Sequence, residues 1–195
     1  MSYHTHLSKV DKVMARLVKR YPLKPIRPAM NPLEELVGSI ISQQLSVKAA
    51  NTIAARFIGL YGTRMPSAAR IVKTPVARMR KCGISNAKAR YLKNVARAFL
   101  KGHLNRTHLM RMSDAEVHTR LLAIKGVGPW TVEMFLIFAL GRPDLFSPGD
   151  VGLQNAIRAR YGKEPTPAFM KKLSARWAPY RSYACRYLWK SQDNE

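Results

Sequence analysis

One acid is set apart by its surroundings. Asp150 lies in Ser147-Pro148-Gly149-Asp150-Val151-Gly152, downstream of Leu121-Leu122-Ala123-Ile124-Lys125-Gly126-Val127-Gly128-Pro129-Trp130-Thr131. Two glycines let a backbone turn tightly and bring its N–H groups close to another surface. Pro129 suits the first position of a new helix, where a missing N–H costs nothing. The open N–H groups of a helix start favour a phosphate. Two readings of this unit are open: a helical hairpin whose glycines only permit close packing, or a phosphate grip using Lys125, Gly126, Val127 and Gly128. Asp150 likewise has two. It is an ordinary cap at the start of a helix, or a carboxylate that stabilises an oxocarbenium-like sugar cation and orients or deprotonates a water.

Charge weighs on both choices. The 195 residues carry 34 Lys plus Arg against 11 Asp plus Glu, a net charge of +23. Such an excess points to a polyanionic partner, nucleic acid first and an anionic membrane surface second. The basic residues are spread along the whole chain, and no apolar run approaches the roughly 18 residues of a spanning helix, which disfavours the membrane. The N-terminal segment lacks the apolar core of a secretory signal, so an intracellular setting is expected. A hydrophobic fraction of 47% supports a real core and excludes a disordered polycation. Cys82 and Cys185 cannot supply the four thiolates of an iron–sulfur cluster, and read as small buried thiols in a reducing compartment. The five histidines show no zinc spacing with them.

The elements that must position these groups are helical nearly throughout. Leu7, Val10, Val13, Met14, Leu17 and Val18 form an apolar stripe at helical spacing. Asn31-Pro32-Leu33-Glu34 reads as a capped start for a helix that turns Leu33, Leu36, Val37, Ile40 and Ile41 inward. Ser42-Gln43-Gln44-Leu45-Ser46 interrupts it, and Ser46 caps a second helix through Tyr61. Thr74-Pro75 and Ser85 are further starts, the latter opening a helix to about Lys101. Ser113-Asp114-Ala115-Glu116 is a capping box leading to Ile124. Helices are predicted over 129–140, 150–161, 167–173 and 179–190. No strand, internal repeat or low-complexity linker stands out. The fold class is all-α, with roughly ten helices and short connections.

At this point a resemblance is explicit. The stretch from Leu121 to Gly152 resembles the helix-hairpin-helix–Gly/Pro–Asp superfamily of DNA glycosylases, and within it the 3-methyladenine DNA glycosylase II branch, which repairs alkylated bases. Ile40 to Ala50 is similar to the branch's helix–loop–helix inserted into DNA, and Gly83 to Ala89 to its midchain turn. Trp177-Ala178-Pro179-Tyr180-Arg181-Ser182-Tyr183-Ala184 is similar to its C-terminal signature. The matches span about 31–189.

The resemblance implies a compact bilobal fold, one lobe over about 25–140 including the hairpin and the other over about 1–24 plus 141–195, with the active site in the cleft. It implies that Asp150 is the catalytic carboxylate and that Trp130, Trp189 and Met134 line the base pocket. Trp130 stands where bifunctional relatives place a Schiff-base lysine, which implies a monofunctional enzyme using water. Met134 stands where some relatives carry an aromatic. Trp177 is read as core. Gln44 and Leu45 are the DNA wedge, with a one-residue ambiguity between them. The carbonyls of Leu122, Ile124 and Val127 would hold a sodium or potassium ion, with no other cofactor needed. The implied partner is double-stranded DNA with damaged bases, met as a monomer without a membrane, in the cytoplasm or nucleoid of a bacterium or archaeon or the nucleus of a eukaryote.

The implied reaction makes chemical sense. N-alkylated purines carry positive charge, stack on an indole face with added cation–π attraction, and leave readily because departure neutralises them. The nucleotide must first be rotated out of the duplex, at a cost of a few kcal/mol, and a kinked duplex held in the minor groove would follow. Two rivals remain: a non-catalytic helix-hairpin-helix module that only binds DNA, and a glycosylase for deaminated or oxidised bases.

Overall fold

The computed structural model describes residues 1–102 and 104–192. Among them there are thirteen α-helices and no strand. They separate into two units, residues 28–140 and residues 1–27 with 141–195.

The first unit is built on α3 (Pro32–Ser42), which packs against α4 (Val47–Gly59) and α7 (Asn86–Leu100). Leu36, Val37, Ile40 and Ile41 of α3 meet a core that includes Phe57, Leu92, Val95 and Ala96. Short α5 (Ala68–Lys73) and α6 (Val76–Lys81) pack against α7. Then come α8 (Arg106–Arg111), α9 (Asp114–Leu122) and α10 (Pro129–Met134), whose last turn widens into a π-helical segment, Phe135–Ala139.

The expected starts hold at Ser46, Ser85 and Ser113, whose hydroxyls accept the N–H of Ala49, Lys88 and Glu116. The Ser113–Glu116 capping box is complete. Asn31 differs: its side chain makes no cap bond, and its carbonyl instead accepts the Glu34 and Glu35 N–H groups. Thr74 ends α5 rather than starting a helix, because its hydroxyl donates back to the Arg70 carbonyl.

In the second unit the predicted single N-terminal stripe is two helices, α1 (Tyr3–Val10) and α2 (Lys12–Arg20). The break is at Asp11, whose carboxylate caps α2 through the N–H groups of Val13 and Met14. The same buried carboxylate accepts the Tyr161 hydroxyl and the Trp177 indole N–H, so the break is held by four hydrogen bonds. Apolar periodicity continues across it, which is why the pattern reads as one helix. The C-terminal helices are α11 (Val151–Tyr161), α12 (Pro167–Ala175) and α13 (Arg181–Gln192). Helix α13 packs on both α2 and α11, and Trp177 is fully buried in this core. No helix among the described residues is long and apolar enough to cross a membrane.

Candidate active site

Asp150 caps α11. Its Oδ1 accepts the Leu153 N–H at 2.6 Å and the Trp189 indole N–H at 2.8 Å. A carboxylate offers about four acceptor directions, so capping and chemistry are compatible on one side chain. The two donors fix the plane of the group, one from a helix start and one from α13. Gly152 makes room for this: a Cβ there would lie 3.2 Å from Asp150 Oδ1 and 3.7 Å from Trp189 Cδ1.

The segment leading to Asp150 is tied down by the C-terminal signature. Arg181 forms a forked ion pair with Asp144, its Nε and Nη2 donating at 2.8 and 2.9 Å. The Ser182 hydroxyl donates to the Arg142 carbonyl and accepts the Leu145 N–H. The guanidinium beside Asp144 holds its carboxyl below the usual carboxylate range. Arg181 and Ser182 thereby position the Asp150 loop, a role their spacing in sequence does not reveal.

The hairpin between α9 and α10 is built around Gly126, at φ +107°. A Cβ there would lie 2.1 Å from Cγ of Tyr91, whose ring packs against the turn. The turn is closed by the Val127 N–H on the Ile124 carbonyl. Val127 points its side chain inward while Lys125 is exposed. Gly128 precedes α10 without any side-chain cap, which leaves the helix start without an internal anion mimic. Lys125 shares a shallow basic depression with Arg90, Lys93 and Arg97 of α7. Sequence reasoning missed those three, although their i, i+3 and i+7 spacing puts them on one helix face.

The wedge candidates follow α3. Gln44 takes φ +56°, a left-handed conformation that costs a non-glycine residue roughly 1–2 kcal/mol, and both Gln44 and Leu45 are exposed. Two residues that sequence reasoning overlooked fasten this loop. Gln43 Nε2 donates to the Gly126 carbonyl at 3.2 Å and to Thr131 Oγ1 at 2.9 Å, linking loop to hairpin. Lys88 Nζ donates to the carbonyls of Ile41 and Gln43, both at 2.7 Å. Burial pushes the Lys88 ammonium below its usual range. A polar side chain bonded only to backbone carries no sequence signal of its partner.

Trp130 and Met134 line one cavity of about 410 Å³, with Phe138 one turn further on. Its other walls include Ile41, Phe57 and Met65, together with Glu34 and Glu35. Burial and the neighbouring Glu34 charge push the Glu35 carboxyl up. The predicted residues thus fall into two groups, Asp150 with Trp189 in one unit and the hairpin, wedge, Trp130 and Met134 in the other. Trp189 is half-buried with its N–H on Asp150, so it is a carboxylate partner as well as a pocket candidate.

For a cation at the hairpin, the Lys125 and Gly126 carbonyls are engaged by Asn94 and Gln43, and the Ile124 carbonyl accepts the Val127 N–H. An oxygen with two lone pairs accommodates both a hydrogen bond and a cation, so the bond on the Ile124 carbonyl leaves that oxygen an acceptor direction for the cation expected at Leu122, Ile124 and Val127. No group of three metal-ligating side chains exists among the described residues, and Cys82 and Cys185 are both buried and outside any disulfide.

The family described as HhH-GPD superfamily base excision DNA repair protein matches residues 37–179. DNA-3-methyladenine glycosylase 1 of Schizosaccharomyces pombe is 38% identical over 193 residues, covering 95% of this chain and 85% of the relative. The putative DNA-3-methyladenine glycosylase YfjP of Bacillus subtilis is 38% identical over 80% of this chain, which spans only 57% of that relative. Among solved structures, the S. pombe 3-methyladenine DNA glycosylase Mag1 in complex with abasic DNA superimposes with a TM-score of 0.89 at 37% identity, covering 99% of this chain and 97% of that one. With a family match across most of its length, the chain belongs to the HhH-GPD superfamily of base excision DNA repair proteins.

Proposed function

We propose that this protein is a monofunctional DNA glycosylase that removes alkylated purines such as 3-methyladenine and 7-methylguanine in base excision repair. The observation that carries the reading is Asp150, held by the α11 start and the Trp189 indole, in a chain with tryptophan where a lysine nucleophile would stand. The names of the relatives support the substrate class.

The duplex is gripped by the backbone around Gly126 and Gly128, with Lys125 and the α7 cations on neighbouring phosphates. Such contacts position DNA without reading its sequence. Gln44 and Leu45 fill the gap left by the extruded nucleotide, and Trp130 and Met134 receive the base. As the bond from C1′ to the base nitrogen breaks, its electron pair passes to the cationic base, which leaves neutral. Asp150 stabilises the positive charge developing on the sugar and takes a proton from the attacking water, whose oxygen bonds to C1′. The products are the free base and an abasic site. A monovalent cation at Leu122, Ile124 and Val127 would stiffen the hairpin, and no other cofactor takes part. The enzyme acts as a monomer inside the cell, where its substrate is.

The test is base release from duplexes that each carry one lesion. Asp150→Asn keeps an oxygen for the α11 cap but loses the charge. Release of 7-methylguanine should fall by about 10²–10⁴-fold, with binding to abasic duplex retained. Undiminished release would overturn the catalytic assignment. A lesion panel on which only deaminated or oxidised bases are released would overturn the substrate class. Salt-sensitive binding with no release of any base would reduce the chain to a DNA-binding module.

A further inference from the structure

The cavity beside Trp130 has a lining at odds with the rest of the molecule. Lysine and arginine outnumber acids 34 to 11 over the chain, yet the residues lining this cavity include Glu34 and Glu35 and no lysine, arginine or histidine. The remaining walls are largely apolar, with Trp130, Met134 and Phe138 on one side and Ile41, Phe57 and Met65 among the others. Acids in the first turn of a helix are favoured by its dipole, and Glu34 and Glu35 both occupy the first turn of α3. That accounts for an exposed acid such as Glu34. It does not account for Glu35, which is half-buried and whose carboxylate takes no hydrogen bond or ion pair among the described residues. A carboxylate so placed is disfavoured while the cavity holds no cation, in line with its raised pKa.

We propose that Glu35 is a specificity-determining residue that admits cationic purines to the Trp130 cavity, by matching their charge and accepting a hydrogen bond from an exocyclic amino group. This rests on the reading of that cavity as the base pocket. An indole face alone attracts any flat base, and favours a cation by only about 0.5–2 kcal/mol. A carboxylate in a partly desolvated wall adds a full opposite charge, which interacts far more strongly than it would in water. N3- and N7-alkylated purines carry positive charge while attached to the sugar and lose it on departure. Glu35 therefore holds the extruded substrate and releases the neutral product. Hypoxanthine is neutral throughout and gains nothing from the charge.

The experiment measures single-turnover release of 7-methylguanine and of hypoxanthine from otherwise identical duplexes. Glu35→Gln preserves shape and an acceptor oxygen but removes the charge. It should lower 7-methylguanine release about tenfold or more, and lower the 7-methylguanine to hypoxanthine ratio with it. Glu35→Asp keeps the charge and should stay within about threefold of wild type. A purely structural role predicts the reverse ranking, since shortening the side chain disturbs packing more than an isosteric amide does. Glu35→Gln within threefold of wild type, or Asp as impaired as Gln, would overturn the proposal. Trp130→Ala separates the two claims: if it abolishes release while Glu35→Gln does not, only the role of Glu35 fails. If Trp130→Ala releases base like wild type, the cavity is not the base pocket and both fail.

Discussion

Replacing Gly126 with alanine tests the hairpin where its geometry is most constrained. At φ +107° an L-residue is strained by roughly 1–2 kcal/mol. The new methyl would also lie 2.1 Å from Tyr91 Cγ, 2.4 Å from Cδ1 and 2.5 Å from Cβ. Rotating the Tyr91 ring cannot relieve a contact with its own Cβ, so α7 or the hairpin must move. Overpacking of this kind costs about 1–3 kcal/mol, for a total of about 2–5 kcal/mol. Gly128 is the internal control. It has an ordinary φ of −102°, and a Cβ there meets nothing within 4 Å. Gly128→Ala should keep its stability to within about 1 kcal/mol. It should weaken duplex binding if that backbone meets phosphate. Urea unfolding followed by circular dichroism reads the difference, with the slope checked for constancy. In a Tyr91→Ala background the ring contacts vanish but Cβ stays, so the Gly126→Ala penalty should shrink by about 1 kcal/mol without disappearing. A Gly126→Ala protein within about 0.5 kcal/mol of wild type, or an equal penalty with and without the ring, would refute the reasoning.

Other perturbations address the supports of the site. Lys88→Met removes both donors from the Ile41 and Gln43 carbonyls. It should cost about 1–3 kcal/mol in thermal or urea unfolding and slow base release by loosening the wedge loop. Asp11→Ala leaves the Tyr161 hydroxyl and Trp177 indole N–H without their partner and uncaps α2. About 3–5 kcal/mol of stability should be lost, whereas Asp11→Asn, which keeps an acceptor, should lose less. The Asp144–Arg181 pair makes stability depend on pH. Because the folded Asp144 is held below its ordinary value, its contribution is present above about pH 4 and disappears as pH falls through the depressed folded value. Asp144→Asn should therefore be less stable than wild type at pH 7 and converge with it as acidification protonates Asp144 in the folded protein. The pair is about a third exposed, so the difference at neutral pH should be only about 1 kcal/mol. A gap that widens on acidification would contradict this sign.

Much of the site was legible in local chemistry. Gly126, Gly128, Pro129 and Asp150 announce themselves because turns, helix starts and caps are set by a few adjacent residues, whose backbone demands hold in any tertiary context. The helices opening at Ser46, Ser85 and Ser113 were readable for the same reason. The Asp11 break was not, because a cap lying within an unbroken apolar stripe is visible only when its other partners, Tyr161 and Trp177, are in place.

Sequence by itself determined the helical class, the strongly basic charge and the residue types able to do chemistry, since composition, periodicity and capping act over a few residues. Tertiary structure alone decided which of those residues serve one another. Trp189 reaches Asp150 across 39 positions, Gln43 reaches Thr131 across 88, and Lys88 reaches Ile41 across 47. It also decided that Glu35 lines the cavity beside Trp130. Hydrogen bonds and cavities are formed by groups meeting in space, and chain separation sets no limit on which groups meet.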